Sequence, residues 1–158
     1  MRKFQIEQVA ICPINPQAAI ELLAALGALE WARDHVVAFG EVFGIPAANE
    51  ADLAFNYSMD DCAKPMEFEV LNYTEGDNWM SESPRLNSVS HFGMHCTEEE
   101  LAEYKEFFHG RRINIAQEVD TTSHTNPFID GKRLYHYCIF STKHILGTDL
   151  KFIVRRIL

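Results

Sequence analysis

The sequence predicts an α+β protein organised around a mixed sheet, made from two successive β-α-β-β-β units. Three observations predict it. Gln8-Val-Ala-Ile-Cys12 and His91-Phe-Gly-Met-His95-Cys96 are strand-like openings, and each is followed by a helical pattern. Three extended segments then follow each helix. Gln8 and Glu69, on the first and last strands of the first unit, lie 61 positions apart, and His91 and Lys151 in the second lie 60 apart. A strand–helix start followed by consecutive strands gives a sheet with each helix packed on one face.

The first unit, about residues 4–75, opens with Phe4 to Cys12, an extended run with an apolar middle stopped by Pro13. Asn15-Pro16 then reads as a helix cap with proline at the first helical position. Ala18, Ile20, Leu22, Leu23, Ala25 and Leu26 supply helical spacing, and Gly27 a stop. Trp31–Phe43, Asp52–Ser58 and Met66–Tyr73 are the next extended segments, with a turn-like break at Pro46 to Glu50. The first of them, a mixture of acids, His35 and valines, either bends or forms a hairpin. Residues of about 76–87, rich in Gly, Asp, Ser and Pro, form a linker, in which Trp79 and Met80 are expected to pack.

The second unit, about residues 88–158, begins with Ser88 to Cys96. Thr97-Glu98-Glu99-Glu100 spells a capping box, because a threonine cap and a glutamate three residues on can satisfy each other's backbone N–H groups. Leu101, Tyr104, Phe107 and Phe108 give that helix its apolar face. Ile113–Thr121, Arg133–Ser141 and Thr148–Ile157 are the remaining strands, with turn signals at Asn126-Pro127 and Asp130-Gly131.

With 158 residues the chain is one domain by length, large enough to fold without staples. A net charge of −9, with Lys and Arg scattered, excludes a nucleic-acid surface. Arg111-Arg112 and Arg155-Arg156 read as solvated ends of elements. No apolar run reaches the ~18–20 residues that span a bilayer, and the start lacks a signal-peptide core. Cys12, Cys62, Cys96 and Cys138 are widely spread without zinc-finger spacing, so reduced thiols in a cytoplasmic protein are expected. Glycine-rich phosphate loops, dinucleotide fingerprints and nucleophile–base motifs are absent from the sequence.

Several segments resemble the vicinal oxygen chelate superfamily of glyoxalases, extradiol dioxygenases and bleomycin-resistance proteins. Ser90-His91-Phe-Gly-Met-His-Cys is similar to the strand that opens the family's second unit. Phe68-Glu69-Val-Leu-Asn72-Tyr73 is similar to its glutamate-bearing strand. Gln8-Val-Ala-Ile, with the Asn-Pro helix after it, resembles the first metal strand, where His or Gln is usual. Gly147-Thr-Asp-Leu-Lys151-Phe-Ile resembles the last strand, except that Lys151 stands where the family has a metal-binding glutamate. The resemblance implies a curved, half-open barrel with a divalent metal (zinc, nickel, manganese or iron) on its concave face, held by Gln8, Glu69 and His91. The metal would chelate two neighbouring oxygens of a small molecule, and Glu69 could also move a proton.

Each residue has a plainer alternative. His91 is either a ligand or a half-buried strand histidine bonded to a carbonyl. Glu69 faces inward only if paired, since a buried unpaired acid is costly; otherwise it shares an exposed face with Glu67. Gln8 in isolation is a polar strand residue. Lys151 either neutralises Glu69 in place of a metal or contacts an anionic substrate beside a three-ligand ion. His95, four residues after His91, shares its face by the strand period of two. His95, Lys151, Tyr135 and Tyr137 are therefore candidate substrate-binding residues, the tyrosines being equally at home in a core. His136 falls on the opposite face; His124 is placed in a hairpin; His35, His109 and His144 read as surface or turn residues. Two functions follow: a glyoxalase-like metal-dependent enzyme, or a metal-free binding protein of the bleomycin-resistance type. A vestigial pocket is a third. Strand edges left bare by a half-open barrel make a homodimer the expected partner.

Overall fold

Two hairpin-forming runs of strands close into a single eight-stranded barrel in the computed structural model, which describes residues 2–56, 66–80, 88–123, 125–127 and 129–158. The first unit comprises β1 (Gln8–Cys12), α1 (Pro16–Ala25), β2 (Trp31–Val42), β3 (Ile45–Asn56) and β4 (Glu67–Gly76). The second comprises β5 (Ser88–His95), α2 (Glu98–His109), β6 (Ile115–Ser123), β7 (Arg133–Phe140), the one-turn α3 (Lys143–Leu146) and β8 (Asp149–Ile157). Cys62, His124 and residues 81–87 of the expected linker lie outside the described residues.

Both units are wired alike: β1 runs parallel to β4, and β5 runs parallel to β8. Two antiparallel seams join the units, β1 against β5 and β2 against β6. The second seam pairs Val36–Val42 with Gln117–Ser123 and completes the ring that the family resemblance leaves half open. Each seam contains a glycine at a close approach. A Cβ on Gly40 would lie 2.1 Å from the Glu118 carbonyl oxygen, and one on Gly93 would lie 2.8 Å from Gln8 Oε1.

The long segment after α1 is one uninterrupted strand, not a bent one. Its hairpin turns at Phe43-Gly44, both with positive φ (49° and 76°), as a two-residue loop matched to strand twist requires. The turn-like Pro46–Glu50 stretch instead lies within β3. Pro46 is tolerated there because it precedes the β3 residues that pair with β4, so its missing N–H interrupts no bond on that side.

The caps form where the sequence places them. Asn15 Oδ1 accepts from the Ala18 N–H at 3.0 Å, and Thr97 and Glu100 close a complete capping box. Both helices pack on the outside of the barrel. Leu101, Tyr104 and Phe108 of α2 bury against Met94, Phe140 and Phe152. From α1 only Ile20 is buried, against Ala54 and Val70; Leu22 and Leu26 are exposed. Because Val70 and Phe68 face this helix, the strand period of two turns Glu69 and Glu67 inward.

Candidate functional site

Four strands bring the first and last residues of the two units together inside the barrel. Gln8 from β1, Glu69 from β4, His91 from β5 and Lys151 from β8 are 2, 1, 0 and 5% exposed. His91 Nε2 lies 2.9 Å from Gln8 Oε1 and 3.2 Å from Glu69 Oε2. Lys151 Nζ lies 3.7 Å from the same Glu69 oxygen and sits 4.1 Å above the centre of the Tyr137 ring. Glu69 Oε2 is thus flanked by an imidazole and an ammonium but makes no aligned hydrogen bond.

Charge and burial oppose each other here. Burial acts to raise the Glu69 pKa, but the Lys151 ammonium and the His91 contact outweigh it, and the carboxyl is held below its ordinary value. Burial, reinforced by Lys151, pushes His91 down to about 4, so the imidazole is neutral at pH 7. The neutral ring is held on its other side by Ser90, whose Oγ lies 3.1 Å from His91 Nδ1 and 3.3 Å from the Ala10 carbonyl oxygen. Ser90 can therefore donate to Nδ1, leaving Nε2–H to face Gln8 and Glu69. The opposite tautomer, with Nδ1–H donating to Ser90, would set the Nε2 lone pair against the Gln8 and Glu69 oxygens, which only accept, so this geometry holds the Nε2–H form. Trp79 packs beside the His91 ring, 5.9 Å between centroids, and against Tyr73.

Three of the four residues could ligate an ion, and their donor atoms converge. The fourth wall is a cation. At an effective dielectric of ~20, a dication within ~4 Å of an ammonium is repelled by roughly 8 kcal/mol. Complete four-donor zinc sites contribute about 10–16 kcal/mol, and three donors that include a neutral amide fall short of that. A catalytic ion also needs an open position for substrate. The space beside Glu69 and Lys151 among the described residues is a void of about 30 Å³, also lined by Tyr73, Trp79 and Gln117, which admits about one water molecule. The residues present do not fit a resident metal ion while Lys151 remains in place. Among the described residues, no group of three or more His, Cys, Asp or Glu side chains is placed to share one.

A space that a small molecule could enter inside the barrel lies on the mouth side of this cluster. It is a cavity of about 280 Å³ to which all eight strands contribute. Gln8 and Tyr137 line it as well as bordering the cluster; His95 and Tyr135 line it further out. His95 also receives Glu7, whose carboxylate accepts from the His95 backbone N–H at 2.8 Å and lies 3.2 Å from Nδ1. Tyr135 and Tyr137 stack, 6.1 Å between centroids. The sequence reading missed Asp34, Ser123, Arg133 and Arg155 in this wall. Arg155 is exposed, as expected of a solvated end, but on β8 it follows Lys151 and Ile153 at the period of two and so stands at the rim of this cavity, while Arg156 turns to Glu98 and Asp120. His136 likewise faces outward, between Glu118 and Asp120, and His35 sits beside Glu50 and Asp52.

No protein-family model matches the chain, and no curated protein matches it in sequence. Solved structures do. The chain aligns with a Streptomyces coelicolor methylmalonyl-CoA epimerase in complex with 2-nitronate-propionyl-CoA at a TM-score of 0.52 and 10% identity, over 97% of this chain and 98% of that one. This barrel has the vicinal oxygen chelate fold. A second methylmalonyl-CoA epimerase, in complex with methylmalonyl-CoA and NH4+, aligns at 0.52 and 11% identity over 95% and 93% of the two chains. A hypothetical protein from Bacillus halodurans C-125 aligns at 0.50 and 12% identity over 96% and 94%. Identities this low establish the vicinal oxygen chelate fold alone, and the chemistry has to be argued from this chain's own interior. Among the described residues no helix is long and apolar enough to cross a membrane.

Proposed function

We propose that this chain is a small-molecule-binding barrel that works without a resident metal ion, its ligand lodging in the cavity at the mouth side. The observation that carries the reading is Lys151 Nζ, 3.7 Å from Glu69 Oε2 in a cluster closed to solvent. The ammonium supplies the positive charge that the family's ion supplies, and it neutralises Glu69 from within. The resulting network fixes Gln8: its amide oxygen faces His91 and its amide nitrogen donates to Glu67, a carboxylate in the cavity wall. The cluster then acts as a rigid floor, and binding takes place above it. The epimerase structures that share the fold are complexes with CoA esters, which supports a small-molecule role for the interior.

A glyoxalase-like metal-dependent enzyme is the second reading. The convergence of Gln8 Oε1, His91 Nε2 and Glu69 Oε2 favours it, and it requires the Lys151 ammonium to leave Glu69. One experiment separates the two. Native protein and Lys151→Glu are loaded with zinc, nickel, manganese or iron(II), then examined by elemental mass spectrometry and titration calorimetry. The metal-free reading expects no tightly held ion in the native chain and about one in the variant, which gains a fourth donor and loses the repelling charge. One ion per native chain, lost in His91→Ala but retained in His109→Ala, would overturn it in favour of the enzyme.

A further inference from the structure

The charges lining the cavity are not mixed but sorted. The acids, Asp34 on β2 and Glu67 on β4, come from the first unit. The basic side chains, Arg133 on β7, Arg155 on β8 and the imidazole of His95 on β5, come from the second. Because the strands run round the ring in the order β1-β4-β3-β2-β6-β7-β8-β5, the two groups occupy different arcs of the wall. The acids are engaged: Asp34 accepts from Ser123 and Thr125 at 2.6 and 2.9 Å, and Glu67 accepts from Gln8. The guanidiniums are not. Among the described residues neither Arg133 nor Arg155 has an ion-pair partner; Arg155 lies over Tyr135, 5.8 Å from the ring centre. On the outer surface Arg2 pairs with Glu100, and Arg156 with Glu98 and Asp120, while Arg33 bonds Gln17 and Arg111 lies over Phe107. What distinguishes Arg133 and Arg155 is their place: in a chain of net charge −9, they bring two guanidiniums, without carboxylate partners among the described residues, to one cavity.

We propose that Arg133 and Arg155 form the oxyanion-binding end of the cavity, which takes a small molecule bearing a carboxylate or phosphate group on a flat apolar body. A guanidinium presents a rigid fork of donors that fits either group. The body of the ligand then lies along the stacked faces of Tyr135 and Tyr137 and against Phe55, Leu53 and Ile153, all of which line the same cavity. The acidic arc repels the anionic group and sets the orientation. This assignment rests on the cavity being the ligand site.

A matched series of probes tests it. Benzoate, phenyl phosphate, the neutral isostere benzamide and the cation benzylammonium are titrated into native protein at constant ionic strength, followed by amide NMR shifts. Benzoate, phenyl phosphate or both are expected to bind at least tenfold more tightly than benzamide, and which of the two wins distinguishes the carboxylate from the phosphate. Arg133→Gln and Arg155→Gln should each weaken that binding at least tenfold, while Arg111→Gln, whose side chain lies over Phe107 outside the barrel, should not. Equal binding of benzoate and benzamide, or binding unaffected by both arginine substitutions, overturns the oxyanion end but leaves the cavity as a binding site. Tighter binding of benzylammonium overturns it in favour of a cationic ligand. No binding by any probe to protein with a native circular dichroism spectrum overturns the cavity assignment as well.

Discussion

Lys151 shows how one side chain can redirect a site. At ~4 Å and an effective dielectric of ~20, its attraction to Glu69 is about 4 kcal/mol. Desolvating the two ions costs several kcal/mol each, so the pair adds little net stability while making each partner indispensable to the other. Lys151→Met or Glu69→Gln alone should therefore destabilise the fold by ~3–5 kcal/mol in urea denaturation, because each strands a buried charge. The double variant should recover most of that loss. Additive losses would mean that the two groups are not paired in solution. The misfit of lysine in a glutamate position was legible in the sequence, as was the face shared by His91 and His95. The inward turn of Glu69 was not, since alternation allows either face; the packing of Val70 on α1 decides it.

At the level of elements, β6 and β7 are tied together on their outer faces by His136. Its ring lies 2.9 Å from Asp120 and 3.0 Å from Glu118. The bond to Glu118, joined by Asp120, raises the His136 pKa against the lowering effect of burial. The His136 bond, joined by Lys105, pulls Glu118 down to about 2. A raised histidine contributes stability that is complete below its unfolded pKa of ~6.5 and is lost as pH rises through the folded value. A depressed glutamate contributes above ~4.5 and loses it on acidification. The cluster therefore stabilises most between about pH 4.5 and 6.5. His136→Gln should lower stability by ~1–2 kcal/mol at pH 6 and by roughly half as much at pH 9, measured by chemical denaturation. An equal loss at both pH values would remove the charged form from the account. The capping box and the Asn-Pro cap were readable because caps obey local rules. The Phe43-Gly44 turn was obscured by a phenylalanine in a left-handed position, which turn chemistry alone would not choose.

For the molecule as a whole, ring closure carries most of the consequences. The sequence shows two units but not that β2 would meet β6, because pairing across units leaves no local mark beyond Gly40. That glycine should be hard to replace: Gly40→Ala places a methyl against backbone atoms and should cost ~3 kcal/mol. Gly131→Ala meets nothing within 4 Å and should lose only ~1 kcal/mol through its positive φ. Equal melting-temperature shifts for the two would show that the seam has room to spare. Closure also removes the ground on which a second chain was expected. Among the described strands no bare edge remains to be covered, so the homodimer stays a proposal without its edge-strand argument, and exposed apolar side chains such as Leu22, Leu26 and Phe39 are where its test would begin.

The hydrogen bonding of Ser90 has a meaning in evolutionary time. Because its hydroxyl lies within reach of both His91 Nδ1 and the Ala10 carbonyl, the imidazole, which now turns a proton to Gln8 and Glu69, could turn a lone pair to an ion there without any backbone movement. Lysine and glutamate codons differ by a single base. The barrel thus stands one mutational step from a four-donor centre whose histidine is already held for it. Without an ion the substituted chain would bury two unpaired carboxylates, so that short path is open only where a metal is at hand to hold them.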